Sequence, residues 1–276
     1  MKKIVQYIKS NKRSLWGIVI LAGVLLLVYG IFFGWVKLQP TNQTKMPSVC
    51  DIVGRFFTQL ADLKVLKALG ITLLRLLLSL IFAVIFGLLL GFAFGNKKPW
   101  AYTQPTVDFL RSIPVTFFIP ILAIVLLSSN TINIYLLTIY PTSLLIMFGV
   151  RTGIQKQDLE RFHFFDVIAS KQQRPDHYRK ERIKLILFEA LPDICSGFRV
   201  ALSYGLVVIT VLEYMHIGQS VIGLGELLES EVTNHDKTNI FAIVLLIGTI
   251  GFLLNKGAEW LQHKYIHWSN ENLKNE

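Results

Sequence analysis

The chain has 276 residues, 53% of them hydrophobic, and carries 28 Lys and Arg against 18 Asp and Glu, for a net charge of +10. The basic excess does not point to nucleic acid: no basic-aromatic binding pattern accompanies it, and the sidedness described below accounts for most of it. A disulfide framework is excluded as well, because the cysteines are Cys50 and Cys195 alone.

Met1 to Arg13 is basic and is followed by an apolar run, Leu15 to Val36, which is too long for the ~7–15 residue apolar core of a cleaved signal and lacks a small-residue cleavage site. It reads as an uncleaved signal anchor. Apolar residues then recur at Val49, Ile52, Val53, Phe56, Phe57, Leu60 and Leu63, away from Asp51, Arg55 and Lys64. That stripe predicts a helix, either lying in the outer membrane interface or packed as a connector, and it carries no assigned site.

The second apolar run, Leu69 to Gly95, places Gly87, Gly91 and Gly95 four residues apart on one helix face, where another helix can approach closely. Arg75 falls near its outer end and is expected to snorkel to the headgroups. Trp100 to Arg111 is too polar to face lipid and reads as an inner interfacial segment. It enters a third span, Ile113 to Ser129, which is kinked at Pro114 and Pro120. Ile132 to Val150, Ile194 to His216 and Thr238 to Trp260 complete six spans of roughly the 20 residues a bilayer crossing needs.

Lys and Arg set the orientation. Lys2, Lys3, Lys9, Lys12 and Arg13 precede the first span, Lys97 and Lys98 follow the second, and Arg151, Lys156, Arg161, Lys171, Arg174, Arg179, Lys180, Arg182 and Lys184 lie between the fourth and fifth. The connection after the fifth span holds Glu226, Glu229, Glu231 and Asp236 with only Lys237. Both termini are therefore expected in the cytoplasm, although Lys37, Lys45, Arg55, Lys64 and Lys67 dilute the bias outside. Cys50 and Cys195 then lie at opposite faces and cannot pair. The expected architecture is an all-α polytopic membrane protein. Residues 1–68 form the anchor and external interfacial helix, 69–260 the membrane domain and 261–276 a cytoplasmic tail.

Several charges inside this frame are candidates for function. Glu213, near the outer end of the fifth span, is either a functional acid or a structural partner of Arg75 or a loop amide; Arg199, nearer the inner end, either snorkels or meets an anionic solute. Arg111 and Pro114 are candidates for lining the pathway. Gly218 to Leu228, with Gly223 and Gly225, reads as a short turn capping it, or as a simple hairpin loop. Phe164 and Phe165 lie within the basic cytoplasmic connection, where either docking to a soluble subunit or packing against the protein's own inner face would bury them. His263 and His267 lack an acidic or cysteine companion, so no metal site is expected. No metalloprotease motif, nucleophile elbow or P-loop occurs, and the spans hold no clustered His, Asp or Glu, so no catalytic residues are assigned.

Four motifs occur in order: Thr72-Leu73-Leu74-Arg75 with Gly87-Leu88-Leu89-Leu90-Gly91, Leu110-Arg111-Ser112-Ile113-Pro114, Ala190-Leu191-Pro192-Asp193 through Gly197-Phe198-Arg199-Val200-Ala201-Leu202, and Ile222-Gly223-Leu224-Gly225. Over about Leu69 to Trp268 the chain resembles the inner-membrane permease of a binding-protein-dependent ABC importer, in the nitrate, sulfonate and taurine branch. The resemblance implies a multi-pass protein of the bacterial inner membrane, paired with a second copy as a homodimer. It further implies two cytoplasmic ATPase subunits, which use the ATP and Mg, and an external binding protein that delivers a small anion; this chain binds no cofactor itself.

The family's coupling helix corresponds to the neighbourhood of Asp166 to Arg182, with Phe164, Phe165, Asp166, Ala169, Ser170, Pro175 and Arg179 as its candidate residues. The family's pattern there is Glu-Ala-Ala, three residues, Gly, then Ile-x-Leu-Pro. Here Ala169 stands at the Glu, Pro175 at the Gly and Phe188 at the Pro, and no glycine occurs from Ile154 through Ser196. Proline cannot adopt the backbone conformations open to glycine. The departure leaves two readings, a diverged dedicated ATPase and a diverged permease with weakened coupling; alternatives from other classes are an ATP-independent carrier or channel and a membrane enzyme or scaffold.

Overall fold

The computed structural model describes residues 47–95, 97–114, 117–118, 131–156, 175–217 and 222–266, together with Gly23, Leu27 and Gly30; at 97, 98, 131 and 175–183 only the backbone is described. The predicted first span apart from Gly23, Leu27 and Gly30, nearly all of the third and the aromatic part of the cytoplasmic connection lie outside these residues. The chain divides into two compact units, Met1–Ile52 and Val53–Glu276. The described end of the first unit is a reciprocal cap that starts a helix. The Asp51 N–H donates to Ser48 Oγ at 3.2 Å, and the Ser48 N–H and hydroxyl both donate to Asp51 Oδ2.

The described residues form seven helices: α1 (Val49–Ala61), α2 (Leu63–Phe94), α3 (Lys97–Ser112), α4 (Thr131–Gln155), α5 (Pro175–Tyr214), α6 (Leu224–Thr233) and α7 (Lys237–Tyr265). Within these, four stretches are long and apolar enough to cross a bilayer: Leu63–Phe94, Ile132–Gln155, Lys184–Tyr214 and Lys237–Tyr265. The starts of two helices differ most from expectation. α2 begins at Leu63, because the Asp62 side chain accepts from the Lys64 N–H and caps it there. α5 starts at Pro175, not near Ile194, and runs 40 residues, so Pro192 lies inside a continuous helix. Pro175 fits the first turn of a helix, where a missing N–H is not needed.

α4 occupies the middle of the bundle. Of its apolar window 56% is buried, against 22% for that of α7. Its two sides pack in opposite ways. Ile146, Val150 and Ile154, four apart, press into the glycine row of α2. A Cβ on Gly87 would lie 2.7 Å from Ile146 Cβ, one on Gly91 2.5 Å from Val150 Cβ, and one on Gly95 2.7 Å from Ile154 Cδ1. The adjoining row on α4, Gly149 and Gly153, is itself the notch. A Cβ on Gly149 would lie 3.0 Å from the Gly197 Cα of α5, and one on Gly153 2.7 Å from the Ala190 Cα. In lipid the hydrophobic effect does not drive helices together, so this close van der Waals approach carries the association.

The glycine row makes a prediction of opposite signs. Gly91→Ala should lower the apparent unfolding temperature in detergent, since overpacking costs about 1–3 kcal/mol, whereas Gly70→Ala, which meets nothing within 4 Å, should leave it unchanged or raise it through helix propensity. Equal shifts for the two would contradict the packing described.

Candidate functional site

The end of α5 is set by local backbone chemistry. His216 takes a left-handed φ of 56°, its N–H bonds to Glu213 O at 3.0 Å, and the Ile217 N–H reaches back to Leu212 O at 3.1 Å. This pair of bonds closes the helix and leaves Glu213 in its last turn. A carboxylate is unfavourable at the C-terminal end of its own helix dipole, so it needs donors from elsewhere.

Those donors come from two other helices. The Arg75 guanidinium of α2 donates through Nη1 to Glu213 Oε1 at 2.7 Å, and the Thr72 hydroxyl donates to Oε2 at 2.8 Å. Thr72 and Arg75 are three residues apart, hence on one face of α2. The Gly225 N–H, at the start of α6, donates to Oε2 at 3.1 Å, while the Leu224 N–H donates to Thr72 Oγ1 at 2.9 Å. The N-cap of α6 is Gly223, which has no side chain to satisfy these orphan donors. α2 and α5 therefore cap α6 from outside the helix.

The cluster is dry. Glu213 is fully buried and Arg75 is 3% exposed, so Arg75 does not snorkel as expected: it is held inside by its counter-ion. A buried pair of this kind is costly to break, because removing one partner strands a desolvated charge. The two glycines are required by space. A Cβ on Gly223 would lie 2.2 Å from Glu213 Cδ, and one on Gly225 2.1 Å from Thr210 O. The segment read as a turn or hairpin loop instead contains a helix, α6, whose N-terminus rests on the carboxylate. Beside it, burial pushes the Glu226 carboxyl above its ordinary range; Arg75 pulls the other way and Glu213 adds to the rise.

The other candidates lie apart. Arg199 sits 14 residues before Glu213, about 21 Å along the helix. It reaches across to α7, with Nε donating to Asn255 Oδ1 at 3.2 Å and Nη2 lying 3.7 Å from Glu259 Oε2. Arg111 is exposed on α3, its guanidinium 5.3 Å from the Phe148 ring centre, and Pro114 follows the end of that helix. α3 is a helix docked on α4 by this contact and by a second, with Arg151 3.7 Å over the ring of Trp100, which packs edge-on to Phe148 at 5.8 Å. Phe164, Phe165, Asp166, Ala169 and Ser170 lie outside the described residues; Pro175 and Arg179 belong to the first turns of α5.

Thr72 is the member of the cluster that sequence reading missed. A hydroxyl in an apolar run carries no periodic signal; its clues are the three-residue spacing to Arg75 and its place in the first of the four motifs. A double-mutant cycle on unfolding is expected to show the coupling. Arg75→Met alone should cost about 3–5 kcal/mol, and Arg75→Met with Glu213→Leu clearly less than the sum of the single changes. Additive losses would refute the pairing.

No family model matches the chain. It is 25% identical over 171 residues to the bicarbonate transport system permease protein CmpB of Synechococcus elongatus, a match covering 60% of this chain and 57% of that one. It is 23% identical over 175 residues to SsuC of Bacillus subtilis, named for aliphatic sulfonates transport, covering 63% and 60%. The matches thus span under two thirds of these relatives. In fold it is similar to an inward-facing form of the MetNI methionine ABC transporter, with a TM-score of 0.59 at 15% identity, covering 72% of this chain and 94% of that one. Relatives and fold together support an ABC-importer permease of the branch that the ordered motifs imply.

Proposed function

We propose that the chain is the membrane-spanning subunit of an ATP-driven importer for a small anion such as bicarbonate, nitrate or a sulfonate. The observation that carries this reading is the agreement of relatives named for bicarbonate and sulfonate transport with a bundle of ABC-importer fold. The chain works in the bacterial inner membrane with both termini inside, as a homodimer surrounded by lipid. It receives solute from an external binding protein and docks a cytoplasmic ATPase that supplies ATP and Mg chemistry. Glu213 serves as structure in this reading: its oxygens already accept from a guanidinium, a hydroxyl and a backbone N–H. α2, α5 and α6 then move as one body when the ATPase closes.

The missing coupling glycine favours one variant of this reading, a permease matched to a diverged ATPase. Phe164 and Phe165, with the basic residues around them, form the docking surface. Phe165→Asp is expected to abolish copurification of an ABC ATPase while leaving membrane insertion intact. Unchanged copurification would remove this surface from the interface. If native membranes yield no ATPase with the wild-type chain, and vesicles take up bicarbonate, nitrate and sulfonates without ATP, the carrier or channel reading replaces this one.

A further inference from the structure

α1 is a helix with three kinds of side. Phe56 packs among Val65, Ala68, Leu224 and Leu246, and Gln59 is 7% exposed. The same side carries a polar lock. The Arg55 guanidinium and the Gln59 amide both donate to Asn239 Oδ1 of α7, while Asn239 Nδ2 donates to Glu231 Oε2 and Asp236 Oδ2, each at 3.0 Å. Docked in this way, α1 cannot turn its other sides inward. On the neighbouring side Val53, Phe57 and Leu60 are 41%, 64% and 40% exposed. They fall within about 60° of one another around the helix, with the polar Thr58 roughly opposite.

We propose that Val53, Phe57 and Leu60 form a membrane-interface surface that lies in the headgroup and upper acyl region of the phospholipid bilayer. Length rules out a crossing: 13 residues reach only about 20 Å, short of the ~30 Å hydrocarbon core. Position favours lipid. Only Asp62, extended at φ −79° and ψ 120°, separates α1 from α2, so the chain turns sharply between them. The apolar surface continues across that turn through Leu63 at 71% and Leu66 at 42% to Leu74, Leu77 and Ile81 along the lipid-crossing helix. A helix with one apolar face, held at a span's end, is the form that lies in an interface. A second copy is a poorer occupant, since three side chains fall far short of the ~800 Å² each partner gives a stable protein interface.

This inference rests on the membrane-spanning reading, and the test separates the two. The full chain carrying Cys50→Ser and Cys195→Ser receives one cysteine, at Phe57, Thr58 or Leu77. It is labelled with an environment-sensitive fluorophore and reconstituted in phosphatidylcholine vesicles containing lipids spin-labelled at a shallow or a deep acyl position. Phe57→Cys should show several-fold stronger quenching by the shallow lipid than by aqueous iodide, Thr58→Cys the reverse, and Leu77→Cys quenching by the acyl labels with none by iodide. If Leu77→Cys responds as expected but Phe57→Cys is open to iodide, or is shielded from both quenchers by protein, the inference is overturned while the span stands. Loss of acyl quenching at Leu77→Cys would overturn the membrane reading itself.

Discussion

A single buried carboxylate organises one end of this bundle. Glu213 sits in the last turn of α5, accepts from Arg75 and Thr72 of α2, and receives the Gly225 N–H of α6, while the Leu224 N–H donates to Thr72 Oγ1. Remove the carboxylate, and three helices lose their common partner at once. The glycines at 223 and 225 exist in this arrangement because any larger residue would occupy the space of the carboxylate or of the Thr210 carbonyl. Replacing a buried ion pair with apolar residues is often neutral for stability. Its use here lies in register: an apolar substitute offers nothing to the N-terminus of α6.

The middle of the bundle is held by a different force. α4 presents large aliphatic residues to α2 and glycines to α5, so it acts as knob on one side and hole on the other. Spacing by four makes both rows straight along the helix. Dispersion at such short range falls off steeply when atoms separate. The helices are therefore joined rigidly in the centre by shape and at one end by charge. In the proposed import role, helices joined this way would shift as packed bodies against one another rather than bend one by one.

Much of the architecture was legible in the chain. The runs beginning at Leu69, Ile132, Ile194 and Thr238 correspond to helices of membrane-crossing length, because continuous hydropathy is a strong signal. The glycine row is visible too, but its partner is not: the aliphatic row at Ile146, Val150 and Ile154 looks like any apolar helix face, and Gly149 and Gly153 are too short a row to stand out. Arg75 was read from depth alone as a headgroup ligand, although Glu213 had been weighed as its partner. Depth along a helix is readable in sequence; the direction a side chain takes around it depends on the neighbour. The role of Asn239 is hidden for the same reason, since an amide beside acidic residues at a helix start resembles an ordinary cap.

The central claim is that the carboxylate joins α2, α5 and α6 into one body. Distances between spin labels at Leu74→Cys on α2 and Val232→Cys on α6, measured in the assembled transporter with and without ATP and Mg, test it directly. An unchanged distance distribution is predicted as nucleotide drives the proposed ATPase partner through its cycle. A distribution that shifts or splits with nucleotide would show that α6 leaves α2 during the cycle and would contradict the account.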